Sequence, residues 1–178
     1  DFNPDLIGVS LMSYEFYPAK NITRLLRQRF RIPIIWGGVH PTMRPEECLK
    51  YADYVCIGEG EKIVVTFLEH LRDKGKDVLP DIPNVWVNNN GSIIRKPISP
   101  PEEDLDNLPF QEYLPDYFYV FHRNRIFNFA KNHSLFYKYA LYGGISHMIM
   151  TSRGCPLHCS FCGNSFLMNV YGKKIRKR

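Results

Sequence analysis

The sequence predicts an α/β fold built around a parallel sheet, and three observations support that prediction. Short apolar runs alternate with segments of helical periodicity through about the first 70 residues. Each apolar run is followed by a turn that contains serine or glycine, where a strand would end. Strand and helix signals that alternate at this spacing imply parallel strands joined by right-handed crossovers.

Three apolar runs fit buried parallel strands, whose sequences are apolar on both faces rather than alternating. The predicted strands are Leu6–Met12, Ile32–Trp36 and Tyr54–Ile57. The predicted helices are Ala19–Phe30, Pro45–Lys50 and Glu61–Lys74. Thr42 precedes the short middle helix and is predicted to cap its N-terminus.

The longer helices carry apolar residues at helical spacing, which predicts the face that each turns to the sheet. In the first helix these residues include Ile22, Leu25 and Leu26. In the last helix they include Phe67 and Leu68. We expect these side chains to be buried.

The chain changes character after the third helix. Pro80–Asn90 and Ser92–Lys96 predict a hairpin around an Asn-Asn-Gly turn. Residues 97–116 contain five prolines and several acids, which is typical of a linker. Residues 117–142 are rich in aromatic side chains without a clear period, and His147–Thr151 predicts one more strand. The expected parts of the chain are residues 1–75, 76–146 and 147–178.

Composition narrows the class of protein. The hydrophobic fraction of 44% is that of a globular protein. No window approaches the roughly 18 consecutive apolar residues that a membrane-spanning helix needs. The first residues lack the charged and apolar parts of a signal peptide. We therefore expect a soluble, cytoplasmic protein.

The net charge of +5 at pH 7 has a local origin. The last six residues, from Lys173 to Arg178, include five Lys or Arg, so the rest of the chain is balanced. A basic run can bind phosphate, but it is more often a solvated helix face. Nucleic acid is therefore not the expected partner.

Three of the five cysteines lie in one short loop, where Cys155, Cys159 and Cys162 are separated by three and then two residues. An odd, clustered set indicates metal binding rather than a disulfide framework. Thiolates suit an iron–sulfur cluster or zinc. Three thiolates would leave one iron of a 4Fe–4S cluster open to a reacting molecule, as catalytic metal sites require. With His158 or His147, the same cysteines could instead form a closed Cys₃His zinc site.

The turns after the three predicted strands form a second candidate site. Ligands of open parallel sheets bind beyond the carboxyl ends of the strands. Paired glycines let a bulky ligand approach the backbone, although glycine in a tight turn can also be purely steric. The candidate residues are Ser10, Leu11, Met12, Gly37, Gly38, Gly58, Glu59 and Gly60.

The run Thr151-Ser-Arg-Gly-Cys155-Pro-Leu-His-Cys159-Ser-Phe-Cys162 resembles the signature of radical S-adenosylmethionine (radical SAM) enzymes. The resemblance implies that the three cysteines hold a 4Fe–4S cluster that reductively cleaves S-adenosylmethionine to a 5′-deoxyadenosyl radical. It also implies that Phe161 packs near the adenine and that Gly163 lies near S-adenosylmethionine. The expected partners are a small-molecule substrate of unknown identity and a reductant such as flavodoxin or ferredoxin.

Two further runs, Gly37-Gly-Val-His-Pro-Thr-Met-Arg-Pro-Glu-Glu and Asp53-Tyr-Val-Cys-Ile-Gly-Glu-Gly-Glu61, are similar to the cobalamin-binding domain that often precedes a radical SAM barrel. The resemblance implies that the eight candidate residues line a cobalamin slot. The Asp-x-His-x-x-Gly segment, which supplies a lower cobalt ligand in some relatives, is not in this chain.

The resemblances together imply a more detailed fold and a function. We expect the C-terminal half of a Rossmann-like (flavodoxin-like) cobalamin-binding domain, a linker, and the first strand and cluster loop of a truncated radical SAM TIM-type barrel. The implied function is methyl transfer or oxidative ring formation. Sixteen residues follow Cys162, whereas a full barrel takes about 250. We therefore expect a fragment that does not cleave S-adenosylmethionine efficiently by itself.

Two alternatives stay open. One is a radical SAM methylthiotransferase, a class that uses three further cysteines in its α/β domain. The remaining cysteines, Cys48 and Cys56, are too few and lie where core residues are predicted. The other alternative is a zinc-stabilised module that binds nucleic acid through the basic run.

Overall fold

The computed structural model describes residues 3–110, 112, 116–139, 149–172 and 174–178. The chain divides into two units, one made of Asp1–Glu103 and Gly154–Arg176, the other of Asp104–Arg153 and Lys177–Arg178. Among the described residues, no helix is both long enough and apolar enough to cross a membrane.

A five-stranded mixed sheet organises the first unit. Its strands are β1 (Ile7–Ser10), β2 (Ile34–Gly37), β3 (Tyr54–Cys56), β4 (Val85–Asn89) and β5 (Ser92–Ile94), in that spatial order. The first three strands are parallel, and the β4–β5 hairpin continues the sheet antiparallel from β3. The predicted α/β fold is confirmed, and the predicted hairpin extends the sheet.

Three α-helices of the described residues follow the predicted order, and three more lie where no helix was predicted. They are α1 (Phe16–Arg29), α2 (Val39–Met43), α3 (Pro45–Cys48), α4 (Glu61–Lys74), α5 (His133–Tyr139) and α6 (Gly163–Tyr171). The helices that were not predicted are α2, α5 and α6. The predicted cap at Thr42 is wrong, because Arg44 precedes α3 and Thr42 lies within α2. The Thr42 hydroxyl donates to the backbone oxygen of Gly38 at 2.8 Å instead.

The sheet packs a core on each face, because neighbouring residues of β2 point in opposite directions. Trp36 joins the cluster on one side and Ile35 the cluster on the other. The prediction of which face of α1 is buried is wrong, because Ile22 and Leu25 are 54% and 55% exposed. The helix instead turns Thr23 inward, where its hydroxyl oxygen accepts a hydrogen bond from Trp36 Nε1 at 3.1 Å.

The second unit contains an antiparallel hairpin, β6 (Tyr119–His122) and β7 (Arg125–Asn128), together with α5. Two-residue strands follow along the chain, β8 (Ser152–Arg153) and β9 (Arg176–Lys177).

The strand predicted at 147–151 lies partly outside the described residues, at 147 and 148, and residues 149–151 form no strand. Ile149 and Met150 are 68% and 58% exposed, so they lack the burial that an apolar strand requires. The barrel stays a prediction.

Candidate functional site

The carboxyl ends of β1 and β2 lie side by side, and the loops that follow them are bonded together. Ser10 is in register with Gly37, and the N–H of Leu11 donates to the Gly37 oxygen at 3.0 Å. The N–H of His40 donates in turn to the Leu11 oxygen at 3.3 Å. The fold therefore brings the first and second candidate loops together.

Gly38 makes the closest approach between these two loops. Its φ of +98° is a conformation that side chains rarely adopt, and a β-carbon there would lie 2.8 Å from the Leu11 oxygen and 3.2 Å from Ser10 Oγ. Gly37 is less restricted, because its nearest neighbour would be Cys56 Cβ at 3.8 Å. The steric reason for glycine thus applies to Gly38.

The side chains of the first loop alternate in exposure. Ser10 is exposed and Met12 is 53% exposed, whereas Leu11 is 2% exposed and belongs to the core. The N–H of Met12 donates to the Glu15 carboxylate at 2.7 Å, which holds the loop at the start of α1. Ser10 and Met12 can therefore offer side chains to a ligand, while Leu11 can offer only its backbone.

Sequence reasoning missed the contacts that two buried polar residues of α2, the helix after the second loop, make with the other loops. Thr42 Oγ1 accepts a hydrogen bond from the N–H of Gly58 at 2.9 Å, and so connects the second and third loops. His40 is 8% exposed, and its Nδ1 lies 3.1 Å from Ser13 Oγ. Both lie in the Gly-Gly-Val-His-Pro-Thr run, but their roles depend on neighbours that are distant in sequence.

The third loop is covered by residues from the end of the chain. The Tyr171 hydroxyl lies where a side chain on Gly58 would be, and Gly58 has a φ of +84°. Burial raises the pKa of Tyr171 to about 12, so the phenol is neutral. The Glu59 carboxylate pairs with the guanidinium of Arg176 at 2.6 Å. The third loop is therefore less open to a ligand than the first two.

The cysteine loop ends in a turn that leads directly into α6. The N–H of Cys162 donates to the Cys159 oxygen at 3.1 Å, and Ser165 Oγ donates to the same oxygen at 2.8 Å. A β-carbon on Gly163 would lie 3.8 Å from Met43 Sδ, so α6 begins beside α2. The end of the cysteine loop therefore lies close to the helix that follows the double-glycine loop. The side chain of Phe161, just before Cys162, is 91% exposed.

The thiols of this loop have the chemistry that a cluster needs. Cys155, Cys159 and Cys162 are half-buried and form no disulfide, and thiolates bind iron–sulfur clusters. Within the described residues, no three His, Cys, Asp or Glu side chains are gathered closely enough to hold a metal ion. The same observation applies to the zinc alternative with His158, while His147 lies outside the described residues. The donor set fits a cluster, and the ligand assignment stays a prediction.

The two remaining cysteines have a different character. Cys48 is 0% exposed and Cys56 is 3% exposed, and both belong to the core. Burial raises the pKa of the Cys48 thiol to about 12 and that of Cys56 to about 11. Neutral, buried thiols of this kind are inert packing groups.

Comparison with known families gives a match at the amino-terminal end. Residues 1–68 match the model of the B12-binding domain. Residues 1–68, which we call the B12-binding domain, are therefore similar to that family. The match includes all three loops at the carboxyl ends of the parallel strands, and so the part of the chain in which the cobalamin site was predicted.

Curated relatives extend the similarity beyond the B12-binding domain. An uncharacterized methyltransferase of Pyrococcus horikoshii is 27% identical over 98% of this chain and 34% of its own length. An anaerobic magnesium-protoporphyrin IX monomethyl ester cyclase of Rubrivivax gelatinosus is 26% identical over 89% of this chain and 27% of its own length. The chain thus spans about a third of the length of the relatives that it matches.

A solved structure has a similar fold. The radical S-adenosylmethionine methyltransferase TsrM of Kitasatospora setae superposes with a TM-score of 0.67 and 20% identity, covering 100% of this chain and 33% of that one. The B12-binding domain and the residues that follow it are therefore related to cobalamin-dependent radical SAM methyltransferases, and they cover only part of the length of those chains.

Proposed function

We propose that this chain is the part of a radical SAM enzyme that binds cobalamin and holds the 4Fe–4S cluster for methyl transfer. One observation supports the proposal most strongly. Gly163, which follows the last cysteine, would place a β-carbon 3.8 Å from Met43 Sδ and 3.9 Å from Val39 Cγ1 in α2. Two segments that are more than 100 residues apart in sequence, the end of the cysteine loop and the helix after the double-glycine loop, are thus in contact.

The proposed roles follow from exposure and position. Ser10 and Met12 are exposed beside the double-glycine loop. They would contact cobalamin through their side chains, and Gly37 and Gly38 would contact it through their backbone. The cluster ligands would be Cys155, Cys159 and Cys162. The residues near S-adenosylmethionine would be Phe161 and Gly163. When bound, the cluster would supply the electron for cleavage of S-adenosylmethionine, and cobalamin would carry the methyl group.

The chain's own groups would shape this site rather than supply acid or base chemistry. The exposed ring of Phe161 offers an apolar surface on which an adenine could stack. The backbone oxygen of Cys159 accepts hydrogen bonds from the N–H of Cys162 and from Ser165 Oγ, and these bonds hold the turn between the second and third proposed ligands. A substrate and a flavodoxin- or ferredoxin-type reductant remain part of the proposal, because the relatives are about three times longer.

The structure offers less support for a methylthiotransferase. That class needs three more thiolates in the α/β domain, and both candidates there, Cys48 and Cys56, are buried with raised pKa values. Ring formation is the second candidate reaction, because a cyclase is among the relatives. It would use the same two cofactor sites.

The test is anaerobic titration of the purified chain with hydroxocobalamin, followed by reconstitution with iron and sulfide. The proposal expects saturable binding of one cobalamin, together with a brown protein that contains about four irons. No change in the cobalamin spectrum would exclude the cobalamin role. A colourless protein that retains zinc in place of iron would favour the zinc-binding module.

A further inference from the structure

A buried ion pair joins the end of the chain to the third loop of the B12-binding domain. Arg176 Nη2 lies 2.6 Å from Glu59 Oε1, and Nη1 lies 3.0 Å from Oε2, so the pair is bidentate. The side chains are 6% and 17% exposed. Arg176 also donates to the backbone oxygen of Glu102 at 2.5 Å. Bidentate pairs shielded from water hold a fixed geometry much better than exposed pairs do.

Tyr171 adds a second contact at the same loop. Its hydroxyl occupies the space that a side chain on Gly58 would need. The guanidinium of Arg176 lies 6.0 Å from the centre of the Tyr171 ring. The backbone of Gly58 is itself held by Thr42. The last turn of α6 therefore rests on a loop that is anchored to the sheet.

The amino-terminal end of the cysteine segment, by which we mean residues 154–172, also makes a close contact. Gly154, the residue before Cys155, has a φ of +102°, and a β-carbon there would lie 2.8 Å from the Lys174 oxygen. Lys174 forms an ion pair with Glu103. The residues before the cysteine loop therefore contact those after α6, and the residues at the end of α6 and after it contact the third loop.

We propose that the Gly58–Gly60 loop is a docking site for the cysteine segment, with Glu59, Arg176 and Tyr171 as its positioning residues. The proposal rests on the proposed function, because it assigns these residues the task of holding the cluster loop at the edge where cobalamin binds. It gives Glu59 a role other than the cobalamin contact expected from sequence. The glycine at 58 is needed because Tyr171 packs directly against it.

Hydrogen exchange of the whole chain, measured by mass spectrometry, tests the docking. In Glu59→Gln we expect amides of residues 154–172 to exchange about tenfold faster, while β1 and β2 keep their protection. Arg176→Gln should give the same pattern, and the double variant should exceed neither single variant by more than about twofold. Glu46→Gln is the matched control, because its pair with Arg95 at 2.7 Å is more than half exposed.

Two outcomes would overturn the proposal. One is exchange that rises equally in the sheet and in residues 154–172, which would indicate a general loss of stability. The other is no change in any variant. Should Glu59→Gln fail to fold, Arg176→Lys keeps the charge but loses the bidentate geometry, and it should still accelerate exchange in residues 154–172 about threefold.

Hydroxocobalamin binding separates docking from cofactor contact. Arg176→Gln should bind hydroxocobalamin within about threefold of the wild type, because the slot is formed by the first two loops. A loss of tenfold or more would show that the third loop shapes the slot, and would overturn the assignment. If the wild-type chain binds no hydroxocobalamin, the proposed function fails while the exchange experiment still decides the docking.

Discussion

Thr42 and Gly58 are joined by a hydrogen bond of 2.9 Å, from the N–H of the glycine to the hydroxyl oxygen of the threonine. The same hydroxyl donates to the backbone oxygen of Gly38 at 2.8 Å. One buried side chain therefore connects the loop after β2 with the loop after β3. This connection fixes the spacing between these two loops at the carboxyl ends of the strands.

Replacing Thr42 by valine should destabilise the fold by about 1–3 kcal/mol, because the shape is kept while the N–H of Gly58 loses its acceptor. The measurement is the free energy of unfolding in urea. Thr42→Ser keeps the hydroxyl and should lose clearly less free energy of unfolding than Thr42→Val does. Thr66→Val removes a comparable hydroxyl bond on the exposed face of α4 and should change stability by less than about 0.5 kcal/mol. Equal losses at both threonines would contradict the linking role.

Gly38→Ala should be costly for both stability and ligand binding. A β-carbon at this position meets the Leu11 backbone, and the φ of +98° adds strain, so we expect a loss of about 1–3 kcal/mol. Hydroxocobalamin affinity should fall at the same time, since the first two loops must separate.

Gly8→Ala is the control for that variant, because a β-carbon on Gly8 has no neighbour within 4 Å. It should leave unfolding and hydroxocobalamin titration unchanged within about 0.5 kcal/mol. If Gly38→Ala behaves like this control, the close approach of the two loops is not needed in solution.

The elements of the sheet could be predicted because their signals are local. The strands β2 and β3 are buried along most of their length, whereas β1 alternates between half-buried and exposed residues. All three lie in short apolar runs bounded by turn residues, and such runs favour strands over helices at that length. The bounds of α4, Glu61–Lys74, agree at both ends, since Gly60 and Gly75 flank it. The face of α1 could not be read, because Thr23 is turned inward by a hydrogen bond to Trp36 from another element.

In the candidate sites, too, local features could be predicted from the sequence and contacts between distant residues could not. The glycine loops and the cysteine spacing are visible in sequence because each lies within a few residues. The Glu59–Arg176 pair joins positions 117 residues apart, so no local pattern reveals it. The basic run was expected to be a solvated face, yet Arg176 is 6% exposed and Lys174 and Arg178 are paired with Glu103 and Asp106.

Serine substitution of any one of the three proposed cluster ligands should abolish stable iron binding. Cys155, Cys159 and Cys162 would each supply one of three protein thiolates, and serine is a much poorer ligand for iron. Iron and acid-labile sulfide should fall at least about tenfold after anaerobic reconstitution, and the brown colour should be lost.

Cys48→Ala is the matched control, because this buried thiol lies in the core. It should retain the iron content of the wild type while losing some stability. Wild-type iron content in any of the three loop variants would contradict the ligand assignment.

Alkaline pH should destabilise the fold partly through Cys56. Burial raises the pKa of this thiol from an ordinary value of 9.0 to about 11, so the unfolded chain releases its proton at a lower pH than the folded chain does. The stabilising contribution is complete below about pH 9 and is lost as pH rises toward 11. The slope for one such group is at most about 1.4 kcal/mol per pH unit.

Cys56→Ala isolates this contribution, because alanine cannot titrate. The variant should be less stable than the wild type at pH 8 through its lost packing. The difference between the two proteins should then shrink by about 1–2 kcal/mol between pH 9 and pH 10.5, as urea unfolding under reducing conditions would measure. A difference that stays constant over this range would mean that the thiol titrates alike in the folded and unfolded chains, and that water reaches Cys56 behind β3.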